Sequence, residues 1–481
     1  MRLPPNPGLL LMALLAAGSS TAEPTGPNDR DAWRSAPAEM PPDTPPFSIA
    51  KTAPEIGFHV VPLDPEVMPE PGVYGGWGQG TLTPEGRFLF AIGNHLTAPG
   101  ADAWLITYDP ETARMQRVMS TRDTAGWDRR PGELGDGKLH TALDVAPDGT
   151  AYALSFYGDY PRKRDWGNGY PGGRLFKHNL FTGDSESLGV PLATDSWPMQ
   201  RWDTQRHRLV AVGERGLYLH PDLGPGEAPS GTVWDGPENG HSHGSLLVYD
   251  TAAGEVLYAG LPVEDDPQRP KLERRSLVLD PGSGRFFSST PPSPSEVVLI
   301  DAAAAAGGDT SGWLRRTGLR TDSPIRGSTR RLTPDGELVV VSQLGTLYAL
   351  RGEVPSIREI GPAWNPGTWL TDLTLGLDGR SLYYVVDSTW SGRASGVPLV
   401  RYDLQDHTRT VLAFLAPHLF EHHGYVPVGT YTNVRSADGT RIFSQVNGGF
   451  SDDPGDARYE QPVLLDIRLP DPAASGPRDP R

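Results

Sequence analysis

Leu139-His140-Thr141-Ala142-Leu143-Asp144-Val145-Ala146, then Pro147-Asp148-Gly149, then Ala151-Tyr152-Ala153-Leu154-Ser155, is the stretch on which the reading of the chain turns. Past a loop, Arg174-Leu175-Phe176-Lys177-His178-Asn179-Leu180 leads through Thr182-Gly183 to Glu186-Ser187-Leu188. These are four short strand-like runs joined by turns. Asp-Gly supplies the backbone angles of a tight hairpin, and Thr-Gly suits the next reversal. One antiparallel four-stranded unit is predicted, from about Lys138 to Leu188.

The unit recurs. Counting outward, a first copy runs from about Gly75 to Val118, and a third from about Asp195 to Val263 with an insertion near 221–240. A fourth holds Ser276–Asp280 and Glu296–Asp301. The fifth is the cleanest, with Pro334-Asp335-Gly336 before Glu337-Leu338-Val339-Val340-Val341. The sixth holds Asp378-Gly379 and Arg401-Tyr402-Asp403, and the seventh Asp438-Gly439 and Val463–Ile467. Four-stranded units repeating every ~40–50 residues mark a β-propeller. The expected fold is all-β: a seven-bladed β-propeller of four-stranded blades. The seventh copy is one strand short, so the strand around Phe58 is expected to complete it and close the ring, leaving no open sheet edge. Ala302–Ala306 and Ala416–His422 are expected to be short helical turns.

The ends read differently. Residues 1–22 look like a secretory signal peptide: Arg2, an apolar run from Leu9 to Ala17, then small residues up to Ala22. That run is too short for a membrane span, so no span is expected in the mature chain, which would be periplasmic or secreted. Residues 23–54 are rich in Pro, Asp, Ala and Ser and are expected to be a disordered linker. The propeller is placed at 55–469, and 470–481 is expected to be a loose tail. The 481 residues include 57 Gly and 49 Pro, as many turns require. A net charge of −16 argues against nucleic acid as a partner, since phosphate backbones need clustered Lys and Arg. With no cysteine there is no disulfide, thiol nucleophile or Cys-bound metal.

The marks Pro147-Asp148-Gly149 before Tyr152, and Tyr249-Asp250-Thr251 before Gly254, resemble those of the YVTN/WD40-like seven-bladed bacterial propellers. The sixth and seventh units are also similar to uncharacterised secreted propellers. The resemblance implies the fold and leaves activity open. A looser similarity to propeller-fold polysaccharide lyases implies uronic-acid polymers as a substrate class, and no residue is matched to their catalytic set.

First strands line a propeller's channel, so aligning them on the Pro-Asp-Gly turn gives candidate ligand residues. One register holds Trp77, His140, Trp197, Arg274, Gly327, Leu370 and Thr430; the next holds Gly78, Thr141, Pro198, Arg275, Ser328, Thr371 and Tyr431. Aromatic faces stack on sugar rings, and Arg grips carboxylates through a paired fork. His140 with Tyr157 or Tyr431 is the candidate acid/base set for β-elimination, with Arg274 or Arg275 on the carboxylate. Trp77 and Trp197 are the candidate stacking surfaces, though tryptophans at blade starts also pack between blades. The loop Phe156–Tyr170 adds Tyr160 and Trp166 among three cations, and His243 is placed at the edge of the cleft.

Other motifs fit less well. Gly240-His241-Ser242-His243-Gly244 matches the nucleophile-elbow pattern, but a strand follows it where a helix is required. His241 and His243 lack a third ligand at metal-binding spacing. The acidic run Gly448–Asp456 lacks calcium-loop order and reads as a surface loop. There is no Walker loop, dinucleotide fingerprint or HExxH, so no cofactor or metal is expected. The expected function is binding of an extracellular ligand, an acidic saccharide, at the channel face. A uronate lyase and an envelope-protein scaffold are the alternatives.

Overall fold

Leu338-Val339-Val340-Val341 shows how each blade is made. Alternate side chains of a strand point to opposite faces. Val340 enters a core shared with the preceding unit, beside Phe287 and Leu299, while Val339 and Val341 enter the next, beside Leu382 and Val400. Both faces of the sheet are buried, which is why the strand is apolar throughout rather than alternating. The same holds for Phe88–Gly93, buried along its whole length.

The structure is a computed structural model that describes residues 29–63, 73–96, 100–127, 134–158, 171–193, 195–214, 243–260, 271–305, 310, 312–386 and 394–470. It contains seven four-stranded antiparallel blades: 81–120, 138–189, 199–260, 278–321, 325–362, 374–414, and 425–468 joined by Glu55–Val60. They are called blades 1 to 7. Seven large buried clusters correspond to the seven interfaces between adjacent blades, including that between blades 7 and 1. The molecule therefore has a ring of cores around a channel, and the outermost strands, such as Arg114–Ser120, are half exposed.

The N-terminal strand closes the ring as expected. Glu55–Val60 pairs antiparallel with Val463–Arg468, Glu55 opposite Arg468 and Val60 opposite Val463. Side chains fasten the join. Tyr108 of blade 1 donates to Asp466 of blade 7 at 3.0 Å, Arg441 donates to the same oxygen at 2.6 Å, and His59 of the closing strand lies 3.0 Å from the Tyr108 hydroxyl.

Residues 29–54 depart from the expectation of a disordered linker. Asp29–Arg34 forms a 3-10 helix, and Trp33 is buried in the core between blades 6 and 7. Phe47 lies 5.3 Å from the Trp364 ring and 6.2 Å from Phe414. Ser48 and Ile49 then pair in parallel with Thr410 and Val411, a fifth strand on the outer edge of blade 6. Two aromatic anchors suffice to seat a segment whose composition resembles a linker. The expected helical turns appear as a 3-10 turn at Ala302–Ala304 and a helix at Leu415–His423, ended by Gly424 at φ 61°.

The two ends of the ring differ. Tight turns such as Pro147-Asp148-Gly149, with Gly149 at φ 81°, occupy one end. The long connections, Gly93 to Ala103, Phe156 to Leu175, Val212 to Leu246 and Val385 to Pro398, occupy the other. The insertion expected near 221–240 lies outside the described residues.

Candidate functional site

Each inner strand starts at the long-loop end, so its first residues meet there. Trp77, His140, Met199, Arg326, Thr371 and Tyr431 face one another across the channel and leave a space of about 10 Å³. His140 sits 6.2 Å from Tyr431 and 5.3 Å from Phe156, ring to ring. The Lys138 ammonium lies 4.8 Å above the Trp77 ring. Beside this cluster is a pocket of about 100 Å³ lined by Glu273, Arg275, Arg326, Gln343 and Trp369 among others.

Cations dominate this end. Arg326 is 4% exposed; it donates to the Arg275 carbonyl at 3.1 Å and stacks 5.0 Å from the Trp369 ring. Burial, reinforced by Arg275, pushes its pKa down to about 9, so it remains charged near neutrality. His140 is the converse. Burial first, then Arg275, Arg326 and Lys138, hold its pKa well below the usual histidine range. The Pro198 carbonyl, 3.0 Å from Nδ1, accepts its one proton, so Nε2 carries the lone pair. Such an imidazole is neutral and weakly basic: well suited to accept a hydrogen bond, poorly suited to hold a proton.

Three donors are left over. Arg275 Nε, Arg326 Nε and Trp369 Nε1 are buried and have no acceptor among the described residues. All three residues line the 100 Å³ pocket. A buried donor without an acceptor costs about 1–3 kcal/mol, more when charged. All three belong to residues of one pocket wall, two of them guanidinium, a composition suited to an anionic oxygen group.

The expected site residues divide. Trp77, His140, Tyr431 and Arg275 do meet at this end. Arg274 lines the same pocket, but it is ion-paired to the buried Glu214. Trp197 is corrected: it is fully buried among Leu154, Leu209 and Leu247 between blades 2 and 3, where no channel ligand reaches it. Tyr157 is also buried, stacked 4.1 Å from Phe156 and packed with Leu134, away from the His140–Tyr431 pair. Tyr160, Trp166 and the side chain of His243 lie outside the described residues. Two of the three carboxylates of the 448–456 loop are engaged locally, Asp453 by the Gly455 amide and Asp456 by Arg458. Among the described residues no group of three or more His, Asp or Glu is placed to hold a metal.

Arg326, Lys138 and Trp369 were not foreseen. A one-residue slip flips a strand's faces. The alignment gave blade 5 the registers Gly327 and Ser328, but a bulge between Ile325 and Gly327 turns Arg326 into the channel. Leu370 points into the blade 5–6 core instead, and Thr371 lines the channel. Four basic residues at three inner-strand starts, Lys138 in blade 2, Arg274 and Arg275 in blade 4 and Arg326 in blade 5, were the available signal in an acidic chain.

Further down, the channel is bridged. Gln79 of blade 1 donates to the Thr371 carbonyl of blade 6. Arg330 of blade 5 donates to Gly80 O, Leu143 O and Asp144, each at 2.7 Å, and Arg201 reaches Asp144 at 3.2 Å. The two ends are thereby separated.

No family model matches the chain, and no curated protein matches it. Among solved structures, a chain from the crystal structure of a mitotic checkpoint complex is similar over 96% of this chain and 100% of that one, at 10% identity and a TM-score of 0.48. At that distance nothing about partners or activity passes between them; the seven-bladed fold rests on the structure itself.

Proposed function

We propose that the chain is an exported propeller that binds an acidic saccharide at the long-loop end of its channel. The observation that carries this is one pocket lined by Arg275, Arg326 and Trp369, whose Nε, Nε and Nε1 have no acceptor among the described residues. A pocket of about 100 Å³ takes a carboxylate rather than a whole sugar. Two guanidinium groups grip such a group through charge-assisted bonds. The partly exposed Trp369 indole, with Tyr431 and Trp77 nearby, offers ring surface to the rest of the ligand.

The test is calorimetric titration with trigalacturonate. Saturable binding is expected, weakened about tenfold or more in Arg275→Ala, the size of a lost charge-assisted bond. Equal affinity in the variant would sink the reading.

A uronate lyase is the second reading, favoured by one observation: a neutral His140 beside Tyr431 and the arginines. Its fixed Nδ1 and low basicity weigh towards binding instead. Ultraviolet absorbance of the unsaturated product during the same incubation separates the two. Retention of envelope proteins, with no saccharide bound, would favour a scaffold. Export predicts a mature protein recovered outside the cytoplasm and beginning near Glu23.

A further inference from the structure

The turn end of the channel holds the larger pocket, about 340 Å³, between blades 1, 5, 6 and 7. Arg330, Arg331, Arg435, Asp372 and Ser436 supply its polar wall. Arg330 is committed to Asp144 and two carbonyls, and its Nε is buried with no acceptor among the described residues. Among the described residues Arg435 donates to neutral carbonyls, Leu375 O at 2.9 Å and Ser436 O at 3.1 Å. Arg331 is exposed and makes no hydrogen bond or ion pair to a described residue.

Carboxylates nearby are already occupied. Asp372 accepts from the Asn433 amide at 2.9 Å. Asp378 is held by the backbone of Arg380 and by Ser381, and Asp438 by Ser436 and Thr440, each within its own turn. Burial, and then the neighbouring Arg331, depress the pKa of Arg435. Asp438 and Asp378 offset part of this repulsion, and an anion in the pocket that both arginines line would offset more.

We infer that this pocket is a second site, taking a small oxyanion, a phosphate or carboxylate group, between Arg331 and Arg435. It is separate from the proposed saccharide site. The cross-channel bonds of Gln79 and Arg330 and the filled space around His140 and Tyr431 stand between them.

The experiment uses the full-length protein carrying Arg275→Ala, so that the other end does not contribute. It is titrated calorimetrically with inorganic phosphate and, separately, with succinate. Saturable binding of at least one probe is expected. Adding Arg331→Ala is expected to weaken it about tenfold or more, and Arg331→Lys, which keeps the charge but not the fork, by less. Because Arg331 is exposed, an unchanged melting temperature will show that the variants fold. Binding of phosphate alone identifies a phosphate site, and of succinate alone a carboxylate site. No saturable binding of either probe, or equal affinity with and without Arg331, overturns the inference and leaves the saccharide reading untouched.

Discussion

Asp372 is a carboxyl group walled into the channel, and its titration is a consequence of that placement. Burial raises its pKa from 3.8 to about 6, against the opposing pull of Arg330, Arg201 and the Asn433 amide. The folded chain therefore holds this proton more tightly than the unfolded chain does. The stability gained is complete below the unfolded-state pKa and is lost as pH rises through about 6. Asp372→Asn removes the titration. Relative to that variant, the wild type should lose roughly 1–3 kcal/mol of stability between about pH 4 and pH 7, measured by denaturant unfolding. A difference that does not change with pH would contradict the burial argument. Single residues were also where the sequence was least legible. Trp197 and Arg326 both begin inner strands, and only the local bulge and packing decide that one enters a core and the other the channel.

Among elements, the segment 29–54 is the instructive case. Its composition says linker, yet Trp33 and Phe47 seat it against blades 6 and 7, and the Ala50 amide donates to Val411 O at 2.8 Å. It packs on the outside of blades 5 to 7 and pairs only with the outer strand of blade 6, so it is expected to detach without opening the ring. Trp33→Ala removes a buried indole, a loss of about 3 kcal/mol for such a site. Hydrogen exchange at Ala50 should then accelerate about a hundredfold, while the Val340 amide in blade 5 is unaffected. Equal acceleration at both would show that the segment unfolds only with the whole ring. Blade strands, by contrast, were legible, because Asp-Gly turns at recurring offsets and largely apolar second strands such as Leu338–Ser342 leave little choice of structure.

For the whole molecule, closure makes the channel. Each blade lends its neighbours half a core, and the pairing of Glu55–Val60 with Val463–Arg468 completes the seventh blade with a strand from the other end of the chain. This much followed from counting repeats and finding the seventh a strand short. The channel's chemistry did not follow, because it depends on how seven inner strands, with bulges in blades 5 and 7, are phased against one another. That phasing gathers Arg275, Arg326 and Trp369 at the long-loop end and leaves Arg275 Nε, Arg326 Nε and Trp369 Nε1 without an acceptor among the described residues. The most direct test is a crystal structure of the protein with trigalacturonate bound. A uronate carboxylate within hydrogen-bonding distance of Arg275, Arg326 and Trp369 is the expected result. A ligand seated elsewhere, with those three donors still unaccepted, would contradict it.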